Sequence, residues 1–327
     1  MLDQYGRKIE YMRVSVTDKC NFRCVYCMPE EGVELKPKEQ LLTFEELVTV
    51  IRAGAELGIK HIRLTGGEPT VRKDLVELVR QIKAVPGIED ISLSTNGFLL
   101  PKLAKPLKEA GVDRVNISLD TLNPDRFREL TRRGDLNEVW AGIEAAMAAG
   151  MQPVKLNAVV IKGFNDNEIC DLAALSIEKD LHMRFIEVMP LSEAYLWIGN
   201  GLVPVAEMRE KLLAKWEIYP LRDPGFAGAG PAKYWKIPGA KGTVGFISAV
   251  TECFCAGCNR VRLSSDGQLN PCLGHVHVVD LKPSLRGGTY EQLKEKMIEG
   301  ILRKPKEHNF DDPNSDHILR VMVQIGG

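Results

Sequence analysis

The sequence predicts an α/β protein in which six strand–helix units follow one another, and two observations support this prediction. Short segments rich in β-branched residues alternate with longer amphipathic segments through the first two thirds of the chain, as is typical of parallel βα units. Polar residues end or follow the predicted strands, and the carboxyl ends of parallel strands meet at one edge of a sheet. Since each crossover is right-handed, six units curl into a barrel or form a doubly wound sheet.

Turn and capping residues bound the predicted elements. Strands are predicted at 13–16, 61–64, 90–94, 114–118, 154–160 and 184–189, and amphipathic helices at 44–57, 75–83, 101–110, 138–149 and 168–179. Thr43 and Glu46 form a capping-box pattern before the first helix. Gly58, Gly111 and Gly150 stand where helices should end.

Candidate metal-binding and polar ligand-binding residues occur where the predicted strands end. Three cysteines follow the first strand and a Gly-Gly-Glu-Pro turn follows the second. The remaining strands end in or carry polar groups: Ser94-Thr95-Asn96-Gly97, Ser118-Leu119-Asp120, Lys155 with Asn157, and Glu187-Val188-Met189-Pro190. This pattern favours a βα barrel with a site at one mouth.

The pattern changes after about residue 203. A predicted helix at 205–213 precedes a Gly- and Pro-rich loop at 223–232, strand-like segments to about residue 273, a helix at 290–302 and a polar tail. We expect a barrel over residues 1–215 and a C-terminal region over 216–327.

The composition limits the class of protein. The chain has 327 residues, 44% hydrophobic and 27% charged, with a net charge of −1, so it offers no global attraction for nucleic acid or an anionic membrane. No stretch of 18 apolar residues predicts a membrane span, and residues 1–10 contain no signal-peptide pattern. The eight cysteines are therefore expected in a reducing cytoplasm.

The cysteines after the first strand, Cys20, Cys24 and Cys27, form a C-x3-C-x2-C pattern. Three thiolates bind three irons of a cubane cluster and leave the fourth iron open for chemistry. A zinc knuckle with a remote fourth ligand and an accidental spacing of core thiols are the alternatives. Tyr26, next to the last cysteine, adds a flat aromatic surface.

The turn Gly66-Gly67-Glu68-Pro69 follows the second predicted strand. Two glycines allow close approach of the backbone to a ligand, the carboxylate can accept from an ammonium group, and Pro fixes the turn. By itself this is only a tight turn. The occurrence of this turn after the cysteine triplet is a more specific indication of ligand binding than the turn alone.

A second set of thiols, Cys255, Cys258 and Cys272, again offers three ligands. It predicts either a second cubane with an open iron or a zinc site completed by His275 or His277. Cys253 could be a fourth ligand by count, but its C-x-C spacing to Cys255 strains joint ligation of one cubane. The remaining cysteine, Cys170, is expected to be an inert buried thiol on a helix.

Arginines accompany this second thiol set. Arg260 and Arg262 are two residues apart on a predicted strand and so share one face. Guanidinium groups match phosphate oxygens, which favours a polyphosphate ligand, although a solvated strand face is the alternative. Arg13, Arg63 and Lys155 are likewise predicted on strands near the mouth.

Taken in order, these motifs resemble the GTP 3′,8-cyclases of molybdenum-cofactor biosynthesis, a family of radical S-adenosylmethionine (SAM) enzymes. The resemblance extends from about Arg7 to Gly327 and rests on Arg13, the first cysteine triplet, Arg63-Leu64-Thr65-Gly66-Gly67-Glu68-Pro69, Asn116-x-Ser118-x-Asp120, Arg184-Phe185-Ile186-Glu187, Gly230-Pro231-Ala232, Cys255-x2-Cys258-Asn259-Arg260-x-Arg262 and Gly326-Gly327.

The resemblance implies a partial (βα)6 TIM-type radical SAM barrel, closed by a C-terminal segment that carries a second cluster. It implies two 4Fe-4S clusters, bound by Cys20, Cys24 and Cys27 and by Cys255, Cys258 and Cys272. Tyr26, Gly67, Glu68, Ser118 and Met189 would bind SAM, and Arg13, Arg63, Ser94, Lys155, Arg260 and Arg262 would bind GTP. The first cysteine triplet and the pair Arg260 and Arg262 form the implied catalytic set. The Gly-Gly terminus would reach into the barrel mouth, and many relatives are expected to have Thr at position 94.

The resemblance also implies the reaction and its partners. A 5′-deoxyadenosyl radical removes hydrogen from C3′ of GTP and the C3′ radical adds to C8, giving 3′,8-cyclo-7,8-dihydro-GTP. A low-potential electron donor, a downstream cyclic pyranopterin monophosphate synthase and a homodimer are expected. The alternatives are a radical SAM enzyme that acts on a peptide or small molecule through an auxiliary cluster, and a non-catalytic metal-binding or electron-transfer protein, which would have no need of open irons.

Overall fold

The structure is a computed structural model that describes residues 1–191, 200–225, 230–310 and 321–325. The terminal glycines 326 and 327, predicted to reach the barrel mouth, lie outside this range. None of the helices within it has the length and apolar character needed to cross a membrane.

Twelve strands of the described residues form one sheet, in the order β12-β11-β10-β1-β2-β3-β4-β5-β6-β9-β8-β7. The strands are β1 (Tyr11–Ser15), β2 (His61–Thr65), β3 (Asp90–Thr95), β4 (Arg114–Ser118), β5 (Val154–Val160), β6 (Leu181–Glu187), β7 (Tyr219–Leu221), β8 (Lys233–Lys236), β9 (Thr243–Ile247), β10 (Arg260–Leu263), β11 (Gln268–Asn270) and β12 (Val279–Asp280).

Strands β1 to β6 are parallel and adjacent in chain order. A doubly wound sheet would reverse its strand order at a switch point, so the barrel-type alternative of the sequence prediction is confirmed. The C-terminal region adds β10 beside β1 and β9 beside β6, both in parallel. Because the sheet is continuous, it does not mark a boundary at residue 215, and the predicted domain division stays a prediction.

Nine α-helices of the described residues pack around this sheet: α1 (Phe44–Glu56), α2 (Leu75–Lys83), α3 (Leu100–Ala110), α4 (Pro124–Thr131), α5 (Leu136–Ala148), α6 (Ile169–Glu178), α7 (Val205–Leu213), α8 (Lys282–Arg286) and α9 (Tyr290–Leu302). The capping box at α1 is confirmed, since Thr43 N donates to Glu46 and Glu46 N donates to Thr43. Two helices, α4 and α8, are absent from the predicted ranges, although Asn123 caps α4 and Pro124 occupies its first turn.

Glu187, at the end of β6, connects the barrel to the C-terminal region. Its fully buried carboxylate accepts from the backbone N–H groups of Val205, Val250 and Thr251 at 2.8–2.9 Å. A buried carboxylate is stable only when donors of this kind satisfy it. These bonds hold the segment that leads to the second cysteine set next to the barrel mouth.

Candidate active site

A cavity of about 350 Å³ lies at the carboxyl ends of the parallel strands. Its walls come from the loops after the barrel strands and from both C-terminal extensions of the sheet. Both cysteine triplets line it, as do Tyr26, Gly67, Glu68, Ser118, Met189, Arg13, Arg63, Ser94, Arg260 and Arg262. The structure thus brings together nearly every residue that the sequence analysis selected.

Three arginines on three adjacent strands form a row in the wall of this cavity. Arg13 on β1 is in register with Arg63 on β2 and with Arg262 on β10. Neighbouring strands are about 4.8 Å apart, so residues in register on one face are direct neighbours. All three line the cavity, which gives it a band of guanidinium groups.

The cavity wall is strongly cationic. Among the described residues that line it, Arg13, Arg63, Arg184, Arg260, Arg262 and Lys304 face only two carboxylates, Glu68 and Asp120. Burial lowers the pKa of Arg63 to about 10. Burial and the neighbouring Arg260 lower the pKa of Arg262 to about 10. Burial followed by Arg262 lowers that of Arg13 well below its usual value. A bound polyanion would reduce the repulsion among these cations, because it supplies the missing counter-charge.

Two of these arginines also have unused donors. Nε of Arg63 and Nε of Arg260 are buried and have no hydrogen-bond partner within the described part of the chain. The same holds for Oδ1 of Asn116, which lines the cavity from β4. Buried polar groups are normally satisfied, so these atoms indicate a ligand that brings both acceptors and donors.

Lys155 lies deeper than predicted. It is on β5, two residues before the cavity-lining Asn157, and is 2% exposed, but it is not part of the cavity wall. Its Nζ stands 5.8 Å from the centre of the Tyr234 ring. Burial, with repulsion from Arg184, lowers its pKa to about 6. Its role toward GTP stays a prediction.

The loop of the first cysteine triplet is held by the chain itself. Arg23 N donates to Thr131 O and Val25 N to Leu130 O, both at 2.9 Å, which docks the loop on the end of α4. Arg132 then donates to the carbonyl oxygens of Arg23 and Met28 at 3.2 Å. The loop is therefore fixed by groups outside the thiols.

The thiols of this loop are partly buried, and their pKa values are raised. Burial raises the pKa of Cys20 to about 11 and that of Cys27 to about 12. Burial also raises the pKa of Cys24 well above its usual value, and Cys27 and Asp120 add to it. Thiolates are the form that binds metal, so cations at this position must displace protons.

The glycines of the Gly-Gly-Glu-Pro turn permit contact between two loops. A Cβ on Gly66 would lie 2.5 Å from Thr17 O, and one on Gly67 would lie 2.3 Å from Lys19 O. Gly66 also has φ +153°. The approach fixes the segment between β1 and Cys20, because Gly67 N donates to Thr17 O at 2.8 Å. The glycines thus also serve chain-to-chain packing, which the sequence analysis did not foresee.

Glu68 joins the loop after β2 to the end of β3. Its carboxylate accepts from Thr70 N at 3.0 Å, from Thr95 Oγ1 at 2.7 Å and from Asn96 N at 2.6 Å. Burial raises its pKa despite these bonds. The contacts hold two cavity walls together, and the predicted contact with SAM would be additional.

Tyr26 makes a hydrogen bond to a residue that received no role from the sequence. Its hydroxyl donates to Asp120 Oδ2 at 2.9 Å, and Val159 N donates to the other carboxylate oxygen at 2.7 Å. Burial raises the pKa of Asp120 to about 6 against these bonds. Asp120 therefore fixes the tyrosine ring beside the first thiols.

Two cationic side chains from distant parts of the sequence hold the second cysteine set. Arg7 donates to Cys255 O and Lys306 O, both at 2.9 Å. Lys304, 2% exposed, donates to Arg260 O at 2.9 Å and to Pro271 O at 2.6 Å. These bonds connect the segments that carry Cys255, Cys258 and Cys272.

The same cations act on Cys258. Burial opposes ionisation of its thiol, but Arg260 and Lys304 outweigh it and lower the pKa to about 7. The neighbouring thiol differs, since burial raises the pKa of Cys255 to about 11. Cys258 is thus better prepared to bind a cation than Cys20, Cys24, Cys27 or Cys255, whose pKa values are raised.

The histidines considered for a zinc site make other contacts. His275 Nε2 is 3.0 Å from Glu307 O, and its ring stacks on His277. Within the described residues, neither joins a group of three ligand atoms that lie within 4.8 Å of one another. This arrangement does not favour the predicted zinc alternative.

Two family models match the chain. The radical SAM superfamily model covers residues 14–175, and the model described as Molybdenum Cofactor Synthesis C covers residues 181–310. The proteins named GTP 3′,8-cyclase from Pelotomaculum thermopropionicum and Petrotoga mobilis are 51% and 47% identical to this chain, over the full length of both partners. The chain belongs to the GTP 3′,8-cyclase family.

A solved structure supports the fold alone. Streptococcus suis SuiB bound to the precursor peptide SuiA has a TM-score of 0.64 and 15% identity, and the match covers 97% of this chain and 76% of SuiB. The sequence predictions of an α/β radical SAM fold and of family membership are therefore confirmed.

The cofactors of this family are 4Fe-4S clusters and SAM, and the donor sets fit them. Each triplet presents three thiols to the cavity. Neither triplet, within the described residues, has its three sulfur atoms within 4.8 Å of one another. Ligands on different irons of a cubane stand farther apart than ligands on one ion, so this spacing suits a cluster better than a single ion.

Several cavity residues were missed by the sequence analysis as ligand candidates. They are Arg184, Asn116, Asn157, Asp120 and Lys304. Asn116 and Ser118 on β4, like Lys155 and Asn157 on β5, are two residues apart and alternate with buried apolar residues. Polar residues at that spacing on a buried strand mark its inward face, and this signal could have identified them. Lys304 carries no such signal, since its partners are distant in sequence.

Proposed function

We propose that this protein is a GTP 3′,8-cyclase that converts GTP into 3′,8-cyclo-7,8-dihydro-GTP, the first step of molybdenum-cofactor biosynthesis. The observation that carries this proposal is the row of Arg13, Arg63 and Arg262 in one cavity with two sets of three thiols. A triphosphate matches this row, because guanidinium forks bind phosphate oxygens in pairs. Arg184 and Arg260 add two further cations to the cavity wall, and Lys155 is buried on β5.

We propose a different role for each of the two cysteine triplets. Cys20, Cys24 and Cys27 would hold the first cluster, with SAM at its open iron, and Cys255, Cys258 and Cys272 would hold the second. When bound, the first cluster and SAM would supply hydrogen-atom abstraction, and the second cluster would supply a binding site for the guanine base. Residues 1–215 would then form the SAM-binding barrel and residues 216–327 the region of the second cluster.

The side chains contribute position and exclusion of water. Cations on the triphosphate and an anchor at the base fix both ends of the nucleotide, which favours closure of a ring between its ribose and its base. Tyr26, held by Asp120, and Gly67, Glu68, Ser118 and Met189 would orient SAM. Phe22 and Phe127, both buried in the wall, keep water from the first thiols.

Further partners follow from the same proposal. An external low-potential electron donor would reduce the first cluster, and a cyclic pyranopterin monophosphate synthase would consume the product. All eight cysteines are free thiols, which supports a cytoplasmic location. We also propose a homodimer, which sedimentation of the purified protein would test.

Anaerobic reconstitution tests the function. We expect about eight irons per chain, since two cubanes hold four each, and release of 5′-deoxyadenosine from SAM that depends on GTP. Arg260→Ala with Arg262→Ala should weaken GTP binding and leave the iron content unchanged, whereas the exposed Arg133→Ala should change neither. Four irons would overturn the two-cluster assignment, and equal SAM cleavage with an unrelated nucleoside would overturn the substrate.

A further inference from the structure

A third group of possible metal ligands lies at the rim of the second cysteine set. Ligand atoms of Cys253, Cys255 and His308 lie within 4.8 Å of one another, and they form the one such group of three in the described part of the chain. Cys253 is exposed, whereas Cys255 and His308 are partly buried. Neither Cys253 nor His308 has a role in the cluster sites proposed above.

The spacing of this group suits one ion. Zinc binds sulfur at about 2.3 Å and imidazole nitrogen at about 2.0 Å in a tetrahedron, so its ligand atoms stand about 3.5 Å apart. A contraction of about 1 Å from the upper limit of 4.8 Å is within reach of side-chain rotation, because Cys253 is exposed. By contrast, the three thiols of the proposed second cluster are not grouped within this limit.

The chemistry of the donors selects a thiophilic cation. Two thiolates and one imidazole are the ligands that Zn²⁺ prefers, and two thiolates neutralise its charge. Arg7 holds Cys255 in place through its carbonyl oxygen at 2.9 Å. The His308 ring stacks on Phe310 with centroids 4.2 Å apart, which restricts its orientation. The exposed Cys253 leaves an entry path for the ion.

We propose that Cys253, Cys255 and His308 form a site for a single Zn²⁺, with water as the fourth ligand and release of the two thiol protons on binding. Since Cys255 also belongs to the proposed second cluster, on which this part of the inference rests, the two metals compete. A chain that has bound zinc at this rim lacks one of the three thiols needed for the second cluster. The rim site therefore controls which metal the C-terminal region carries.

Zinc titration of the full-length, metal-free, reduced chain against a chromophoric chelator tests the site. Cys253→Ser and His308→Ala should each remove one tight zinc equivalent or weaken it at least about tenfold, since loss of a ligand costs at least as much as loss of an outer-shell partner. Cys258→Ser is the matched control, because Cys258 belongs to the second triplet and not to the rim site. It should retain this zinc equivalent.

After reconstitution with iron and without zinc, the two cysteine variants should differ in the opposite direction. Cys253→Ser should keep about eight irons, whereas Cys258→Ser should fall to about four. Addition of zinc before iron should lower the iron of the unmodified chain toward four and should not lower that of Cys253→Ser. Circular dichroism of each metal-free variant checks its folding.

Three results would overturn the rim site: no tight zinc in the unmodified chain, equal zinc binding by Cys253→Ser, or loss of the zinc in Cys258→Ser. The last would place zinc on the second triplet instead. None of these depends on turnover, so the GTP cyclase proposal can stand or fall separately.

Discussion

The two cysteine triplets share one cavity but have opposite surroundings. The first lies close to the carboxylates Asp120 and Glu68, which raise the pKa of its thiols beyond the effect of burial. The second lies close to Arg260 and Lys304, which lower the pKa of Cys258 to about 7. Equal numbers of thiols can therefore differ strongly in readiness to bind metal.

The triplets also differ in how the chain holds them. The first occupies eight consecutive residues, and a neighbouring helix end fixes its main chain. The second is assembled from two segments and held by Arg7 and Lys304, with partners up to 299 residues away along the chain. The first site is preformed locally, whereas the second depends on completion of the fold.

Removal of one thiol from each set should give the largest difference. Cys24→Ala and Cys258→Ala should each lower the iron content from about eight to about four. Cys24→Ala should abolish 5′-deoxyadenosine release, because the first site is the one proposed to cleave SAM. Cys258→Ala should retain residual cleavage and form no cyclised product. Chromatography of both products checks this pair.

Equal loss of SAM cleavage in the two variants would contradict the assigned roles of the triplets. Cys170→Ala is the control, because Cys170 lies on α6 with its thiol 3.4 Å from Lys211 O, outside the cavity wall. It should leave the iron content and both products unchanged.

Arg132 and Arg7 each clamp the main chain of one cysteine set through hydrogen bonds to its carbonyl oxygens. Loss of either arginine should give the second-largest difference between the two sites. Arg132→Ala removes the two bonds to the first loop and should speed iron loss from the first site, while Arg7→Ala should speed loss from the second. Supporting contacts of metal ligands are worth about 10–100-fold in affinity, and we expect the lower end here. Iron release to a chelator, measured in Cys24→Ala and Cys258→Ala backgrounds, resolves each site.

Arg133→Ala is the matched control for the first clamp, since Arg133 is the exposed neighbour of Arg132. The clamp model fails if each arginine affects both sites equally. It also fails if Arg133→Ala speeds iron loss as much as Arg132→Ala does.

The contrast between local and distant support also explains what the sequence could predict. The barrel strands and the capping of α1 depend on residues within a few positions of one another, and these predictions were confirmed. The cysteine spacing is equally local, and the ligand roles assigned to it stay a prediction. Strand bounds were less so, because the sixth strand begins at Leu181 and not at 184. Its first residues, Leu181-His182-Met183, are buried by neighbours β5 and β9, which are distant in sequence.

Long-range polar contacts were beyond reach for the same reason. Lys304 reads as a surface cation after a helix, yet it is 2% exposed and binds two carbonyl oxygens of other segments. Asp120 received no role of its own from the sequence, although it orients Tyr26 from 94 positions away. Glycines 66 and 67 were interpreted through a ligand, whereas their nearest neighbours are backbone atoms of residues 17–19.

Lys155 is a further basic side chain close to the cavity, and its pKa of about 6 makes it largely neutral at pH 8. A bound triphosphate should raise this pKa, so GTP binding takes up a proton and weakens as the pH rises above 6. Lys155→Met should weaken GTP binding about tenfold at pH 6, the cost of one charge-assisted contact, and should remove the proton uptake. Calorimetry in buffers of different ionisation enthalpy measures both.

Stability should respond in the opposite sense. The pKa of Lys155 is lower in the folded chain than its ordinary 10.5, so the unfolded chain binds more protons between pH 6 and 10.5, and stability rises with pH in that window. Lys155→Met should therefore raise the free energy of unfolding at pH 7 by about 1 kcal/mol. A loss of stability, or unchanged proton uptake, would contradict this account.

The smallest effect expected concerns the charge that distinguishes the second triplet. In the metal-free chain, Lys304→Met removes a cation and a hydrogen-bond donor from Cys258 and should raise its pKa. Alkylation of Cys258 at pH 7 should then slow about two- to fivefold, since the thiolate is the reactive form. Peptide mass spectrometry follows Cys258 beside Cys27, whose pKa of about 12 should keep it unreactive in both chains. Equal rates for Cys258 and Cys27 would mean that burial, and not the neighbouring cations, governs both triplets.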